Sequence, residues 1–196
     1  MDLNRIFETI YFKISDERFR QSIGLIIKND IRVENFFLVN ILDFFECLKN
    51  DNNIKGYTVQ YHVKGEDDRN HIDLILTDIN SSKYYIEFKH LSISMSKTKR
   101  DLKFYTSNKT ESKKVGIIKD AEKLIKIKKT GILPEMKNLI CCAIITPKPK
   151  KYEMEQMKAR LSEFSETKDW SINFPVPFEQ QNEHVALFYL KRSFPI

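Results

Sequence analysis

The sequence predicts an α/β protein with a mixed central sheet flanked by helices. Three observations predict it. The first is the order of periodic segments: N-terminal helices, then helix, three strands, helix, strand, helix and strand. The second is the stretch His71–His90, HIDLILTDINSSKYYIEFKH, in which two alternating runs flank the polar turn Asn80-Ser81-Ser82. The third is Leu139–Thr146, LICCAIIT, an unbroken apolar run of the kind a strand buried on both faces requires.

Taken in order, Leu3, Ile6, Phe7, Ile10 and Tyr11 recur at helical spacing over Asp2–Lys13. Ser15-Asp16 is a cap for a second helix carrying Phe19, Ile23, Ile26 and Ile27. Asp30 caps a third, Ile31–Lys49, whose many Phe, Val, Ile and Leu residues predict burial on more than one side. Gly56–Val63, GYTVQYHV, reads as the first strand, and Glu66, Asp67 and Asp68 lie in a solvated loop before the second. Leu91–Thr110 has no clear period and reads as a loop. Lys114–Lys128 is an amphipathic helix with Val115, Ile118, Ala121, Leu124 or Ile125, and Lys128 along one stripe. Its Asp120 and Glu122 read as partners of neighbouring lysines one turn away. Tyr152–Ser165 is a further helix, Trp170–Phe178 is irregular with two prolines, and His184–Lys191 is the last strand.

At 196 residues, with no repeat, low-complexity tract or linker, the chain is expected to form one domain. It divides into an N-terminal helical extension (1–29), a core (30–146), and a C-terminal helix and strand (147–196). No apolar run is long enough to span a bilayer, and MDLNRIFETI does not read as a signal peptide. Cys47, Cys141 and Cys142 all sit in apolar segments, which favours buried reduced thiols over disulfides or zinc and predicts a cytoplasmic location. No Gly-rich phosphate loop, G-x-S-x-G elbow or kinase signature is present.

The chemistry gathers in the central hairpin. Residues two apart on a strand share a face, so Tyr85, Glu87 and Lys89 point one way and Tyr84, Ile86 and Phe88 the other. Pairing of the strands brings Asp73 within reach of Glu87 and Lys89. Two carboxylates and an ammonium on a half-apolar face need a partner charge, and magnesium is commonly held by one or two carboxylates with phosphate oxygens and water. Taken alone, the same residues also read as an exposed Glu87–Lys89 pair on a sheet edge with Asp73 capping its strand. His62, His71 and His90 lack metal-ligand spacing and read as structural or phosphate-contacting.

Asp73, a spacer, and then Glu87-Phe88-Lys89 resemble the bipartite motif of the PD-(D/E)XK, or restriction-endonuclease-like, nuclease superfamily. Ile72 stands where that family sometimes has proline, a frequent departure. The resemblance covers about Asp30–Thr146 and implies a three-layer core with strands in αβββαβ order. It implies that Asp73 and Glu87 bind a catalytic Mg2+, for which Mn2+ can substitute, and that Lys89 assists the attacking water. The family often draws a third acidic ligand from an N-terminal helix. Glu34 is best placed for that, although a carboxylate in a first turn is equally explained by the helix dipole. Asp43 and Glu46 are weaker candidates.

The implied activity is a DNA endonuclease, of the kind found in restriction, phage defence or DNA repair, acting as a homodimer or as one subunit of a larger complex. RNA is a further possible substrate within that class. The rival reading is a non-catalytic nucleic-acid-binding or assembly subunit with the same fold. Charge is consistent with both. Between Lys89 and Lys129 there are thirteen Lys and Arg against four Asp and Glu, whereas the whole chain carries +6, so the remainder is net negative. Clustered cations suit a polyanion, and a lysine-rich solvated face would look the same. Lys97, Lys99, Arg100, Lys103, Lys113 and Lys114 are the candidate contacts to a nucleic-acid backbone.

Overall fold

The computed structural model describes residues 2–19, 21–22, 33–63, 71–95, 100–103, 116–163 and 169–195; at 33–35, 92–95, 100–103 and 160 it describes the backbone alone. Helix α1 (Leu3–Ser15) starts where the Asp2 carboxylate accepts the Arg5 N–H at 2.9 Å, a side-chain N-cap. Residues 17–19 and 21–22 are helical, and Asp16 Oδ1 accepts the Arg18 N–H at 2.8 Å. Helix α2 (Val33–Asn50) buries Phe37, Leu38, Ile41, Phe44, Phe45 and Leu48, spaced by three and four residues. Burial on more than one side does not occur. Val39 is 65% exposed, because only one stripe of the helix meets the sheet.

Strands β1 (Ile54–His62), β2 (His71–Asp78) and β3 (Lys83–Met95) form an antiparallel meander. The β2–β3 turn is tied by Asp78, whose Oδ1 accepts the Asn80 and Ser82 N–H groups while Ser81 takes a left-handed φ of 65°. The loop expected after Lys89 is instead a continuation of β3, and β4 (Arg100–Lys103) folds back against it from Ser92↔Lys103 to Met95↔Arg100. The alternation Leu91-Ser92-Ile93-Ser94-Met95 carries the strand period that the Ser- and Lys-rich composition hides.

Helix α3 (Gly116–Thr130) lies between β3 and β5 (Asn138–Thr146), which pair in parallel over Tyr84↔Asn138 to Ser92↔Thr146. A parallel pair needs such a crossover. The buried stripe of α3 is Gly116, Ile117, Ile118, Ala121, Leu124 and Ile127; Lys128 leaves it to donate to the Met136 carbonyl at 2.8 Å. Helix α4 (Lys151–Glu163) follows, then β6 (Ser171–Asn173), a short strand inside the stretch expected to be irregular, and β7 (Ala186–Ser193). The sheet runs β1-β2-β3-β5-β7-β6, with β4 paired to the far end of β3.

The result is an α/β fold with a mixed sheet between helices. On one face α1 and α2 pack over Leu74, Leu76, Ile86, Phe88, Cys142 and Leu187, with the Phe37 and Phe88 rings 4.8 Å apart. On the other, α3 and α4 pack over Tyr85, Leu91, Leu139, Cys141, Ala143 and Phe188. Residues 139–145 of β5 are buried on both faces, as the apolar run predicts. Among the described residues no helix is long and apolar enough to cross a membrane.

Candidate active site

The hairpin delivers Asp73 and Glu87 to the α3 side of the sheet. The β2–β3 pairing runs from Thr77↔Lys83 to Leu74↔Ile86, and the next opposed positions are Asp73 and Glu87. There the Asp73 side chain makes the link between strands, its Oδ2 accepting the Phe88 N–H at 2.8 Å. Its Oδ1 lies 3.5 Å from His71 Nε2.

Glu87 is only 3% exposed. Its Oε2 accepts from Lys123 Nζ at 2.5 Å, while its Oε1 is buried with no hydrogen-bond partner. Burial pushes this carboxyl well above its ordinary pKa, and the negative charge of Asp73 pushes it further. The charge and hydrogen bond of Lys123 oppose that rise, and Asp120 adds to it. Lys123 Nζ also donates to the His71 carbonyl at 2.8 Å, so one ammonium ties α3 to both β2 and β3.

Lys89 is partly buried on the same side of β3 and runs against the start of α3. A Cβ built at Gly116 would stand 2.9 Å from Lys89 Cε and 3.4 Å from its Cδ, so the bare glycine makes room for the lysine. His90 faces the other way, its Nε2 2.6 Å from Thr146 Oγ1. The three motif side chains thus sit on one side of the sheet, under the first half of α3.

Asp120 reads in sequence as a partner of neighbouring lysines along the helix, and Lys123 is not singled out there. Lys123 reaches the sheet rather than a helix neighbour, and Asp120 acts electrostatically on Glu87 and on Cys141. The signal was their spacing: 116, 120, 123 and 127 form one helical row, and two of the four are buried apolar or glycine positions. Of the weaker candidates, Glu46 accepts from the Tyr57 hydroxyl at 2.6 Å. The backbone of Glu34 belongs to the first turn of α2, and its side chain lies outside the described residues. Lys97, Lys99, Lys113, Lys114 and the loop acids Glu66, Asp67 and Asp68 also lie outside them, and Arg100 and Lys103 are described only as backbone in β4.

The donor set suits a hard cation. Asp73 and Glu87 offer carboxylate oxygens, and one Glu87 oxygen is a buried acceptor with no hydrogen-bond partner. Among the described residues, no three or more His, Cys, Asp and Glu side chains form a cage for a metal ion. The chain matches no protein-family model, no curated protein and no solved structure.

Proposed function

We propose that the chain is a Mg2+-dependent DNA endonuclease built on a restriction-endonuclease-like core, serving in restriction, phage defence or DNA repair. The observation that carries this reading is the approach of Asp73, bonded to the Phe88 N–H, to a buried Glu87 whose second oxygen has no partner. Two carboxylates side by side, one of them stripped of water, repel each other unless positive charge joins them. Lys123 supplies one such charge to Glu87. Asp73 and Glu87 would hold the Mg2+, for which Mn2+ substitutes, and the metal would supply Lewis-acid activation of water and of the phosphate. Lys89 carries its ammonium on the same side of the sheet, where it orients the water and offsets charge developing on the phosphorus oxygens. The backbone N–H of Phe88 fixes the Asp73 carboxylate, which restricts its rotation and so pre-organises it. A homodimer or a larger complex would supply the second strand's cut.

One observation favours a second reading. The Lys123–Glu87 contact also serves as a plain anchor of α3 on the sheet. On that basis the chain is a non-catalytic nucleic-acid-binding or assembly subunit, and the acids under α3 are structural.

The deciding experiment offers supercoiled plasmid, single-stranded DNA and RNA to the purified protein with Mg2+ or Mn2+. Cutting that disappears in Asp73→Asn, Glu87→Gln and Lys89→Ala supports the endonuclease. Cutting that survives all three places the chemistry elsewhere, and an inert wild type leaves the subunit reading.

A further inference from the structure

The outer side of α3 lines a groove of about 1040 Å³. Lys119, Lys123, Lys126 and Lys129 contribute one wall from the helix, and Asp169, Arg192 and Phe194 the other. The groove thus draws its charge from two separate parts of the chain. Asp169 is engaged with Arg192 at 3.0 Å. Arg192 and Lys128 both lie against the Phe194 ring, at 4.9 and 4.5 Å from its centre, so the aromatic side chain holds two cations in place at the groove's edge. Six lining residues are basic and two are acidic.

Lys119 and Lys126 are exposed, and Glu122, three and four residues away from them, shares the groove. Basic side chains still outnumber acidic ones three to one along it. Lys123 lines the groove and, through its Nζ, also contacts Glu87, so one side chain joins the groove to the buried carboxyl beneath α3. From residue 119 to 129 the helix spans about 15 Å. One strand of B-form DNA places a phosphate about every 3.4 Å, so the row faces roughly four phosphates.

We infer that this groove is the track for the phosphate backbone of a nucleic-acid strand. Any cutting of that strand rests on the endonuclease reading; the binding itself does not. The contacts are to backbone charge and carry no base readout.

The test is fluorescence anisotropy of a labelled DNA oligonucleotide of about 20 nucleotides, single-stranded and duplex, with the full chain in EDTA over a salt series. Wild type is compared with Lys126→Glu/Lys129→Glu and with Lys49→Glu/Lys55→Glu, which changes net charge equally at exposed positions outside the groove. Binding should weaken with salt at a slope of about −3 to −4 in log–log form. The groove variant should lose about tenfold or more in affinity and about two units of that slope, with the control within about twofold of wild type. Equal losses in both variants, or an unchanged slope in the groove variant, would overturn the track. A protein that binds through the groove yet cuts nothing with Mg2+ or Mn2+ keeps the track and loses the endonuclease. One that cuts while its groove variant binds normally does the reverse.

Discussion

The N–H of Phe88 donates to Asp73 Oδ2 at 2.8 Å, so a side chain of β2 replaces the next rung of the β2–β3 ladder. Asp73 therefore has a structural task as well as the proposed catalytic one. Asp73→Ala should cost about 1–3 kcal/mol in urea unfolding, because a sheet N–H loses its acceptor. Asp73→Asn keeps an oxygen for Phe88 while removing the charge, and should cost clearly less. The same Asn variant should lower cutting by about a hundredfold or more, since metal binding needs the anion. If Asp73→Asn unfolds as readily as Asp73→Ala, the bond does not matter as described.

The Lys123–Glu87 pair should behave as a coupled buried pair. Above the raised pKa of Glu87, Lys123→Met leaves the carboxylate under α3 without its cation and should destabilise the fold by about 3–5 kcal/mol. Adding Glu87→Gln to that variant should recover part of the loss, because the stranded charge is gone. A double-mutant cycle in urea measures the coupling directly. Strictly additive effects would show that the two groups ignore each other in solution.

Glu87 also sets a pH dependence. Its pKa in the fold is raised well above the ordinary 4.5, first by burial and then by Asp73. Between the ordinary value and the raised one, the folded state holds a proton that the unfolded chain has released. Stability is therefore greatest, as far as this group is concerned, below the ordinary carboxylate range, and falls as pH rises through the window. Melting temperatures should decline in wild type as pH rises above the ordinary carboxylate range, and decline less in Glu87→Gln. Parallel curves for the two proteins would contradict the assignment.

Gly116 separates packing from chemistry. An Ala there replaces a glycine at the start of α3, which favours folding by about 0.5–1 kcal/mol. Its methyl group would meet Lys89 Cε at 2.9 Å, and the flexible end of the lysine must move aside. Gly116→Ala should be as stable as wild type or slightly more so, yet cut more slowly if Lys89 assists the water. Unchanged rates would remove Lys89 from the reaction.

Much of this layout was legible in residue patterns. The alternation in Tyr84–Lys89 put Glu87 and Lys89 on one side of β3, and the run LICCAIIT marked a strand covered on both faces. The extension of β3 was not, because serines alternate with Leu91, Ile93 and Met95 and their composition resembles a loop. The role of Lys123 was hidden for a different reason. A lysine three residues from an aspartate on a helix satisfies a local pairing rule, and only the approach of α3 to β3 shows that the ammonium points at the sheet. Multi-sided burial of α2 was overestimated, since an apolar side chain such as Val39 can stay in water at little cost.

The neighbouring thiols of β5 give the molecule its own reporters. Cys141 lies among the side chains beneath α3 and α4, and Cys142 among those beneath α1 and α2, while Cys47 is exposed. Burial pushes both strand thiols well above their ordinary pKa, so a thiol reagent should label Cys47 at once and the other two only as the protein opens. Mass spectrometry of the labelling times would then tell which of the two helical layers lifts off the sheet first, from adjacent atoms of a single strand.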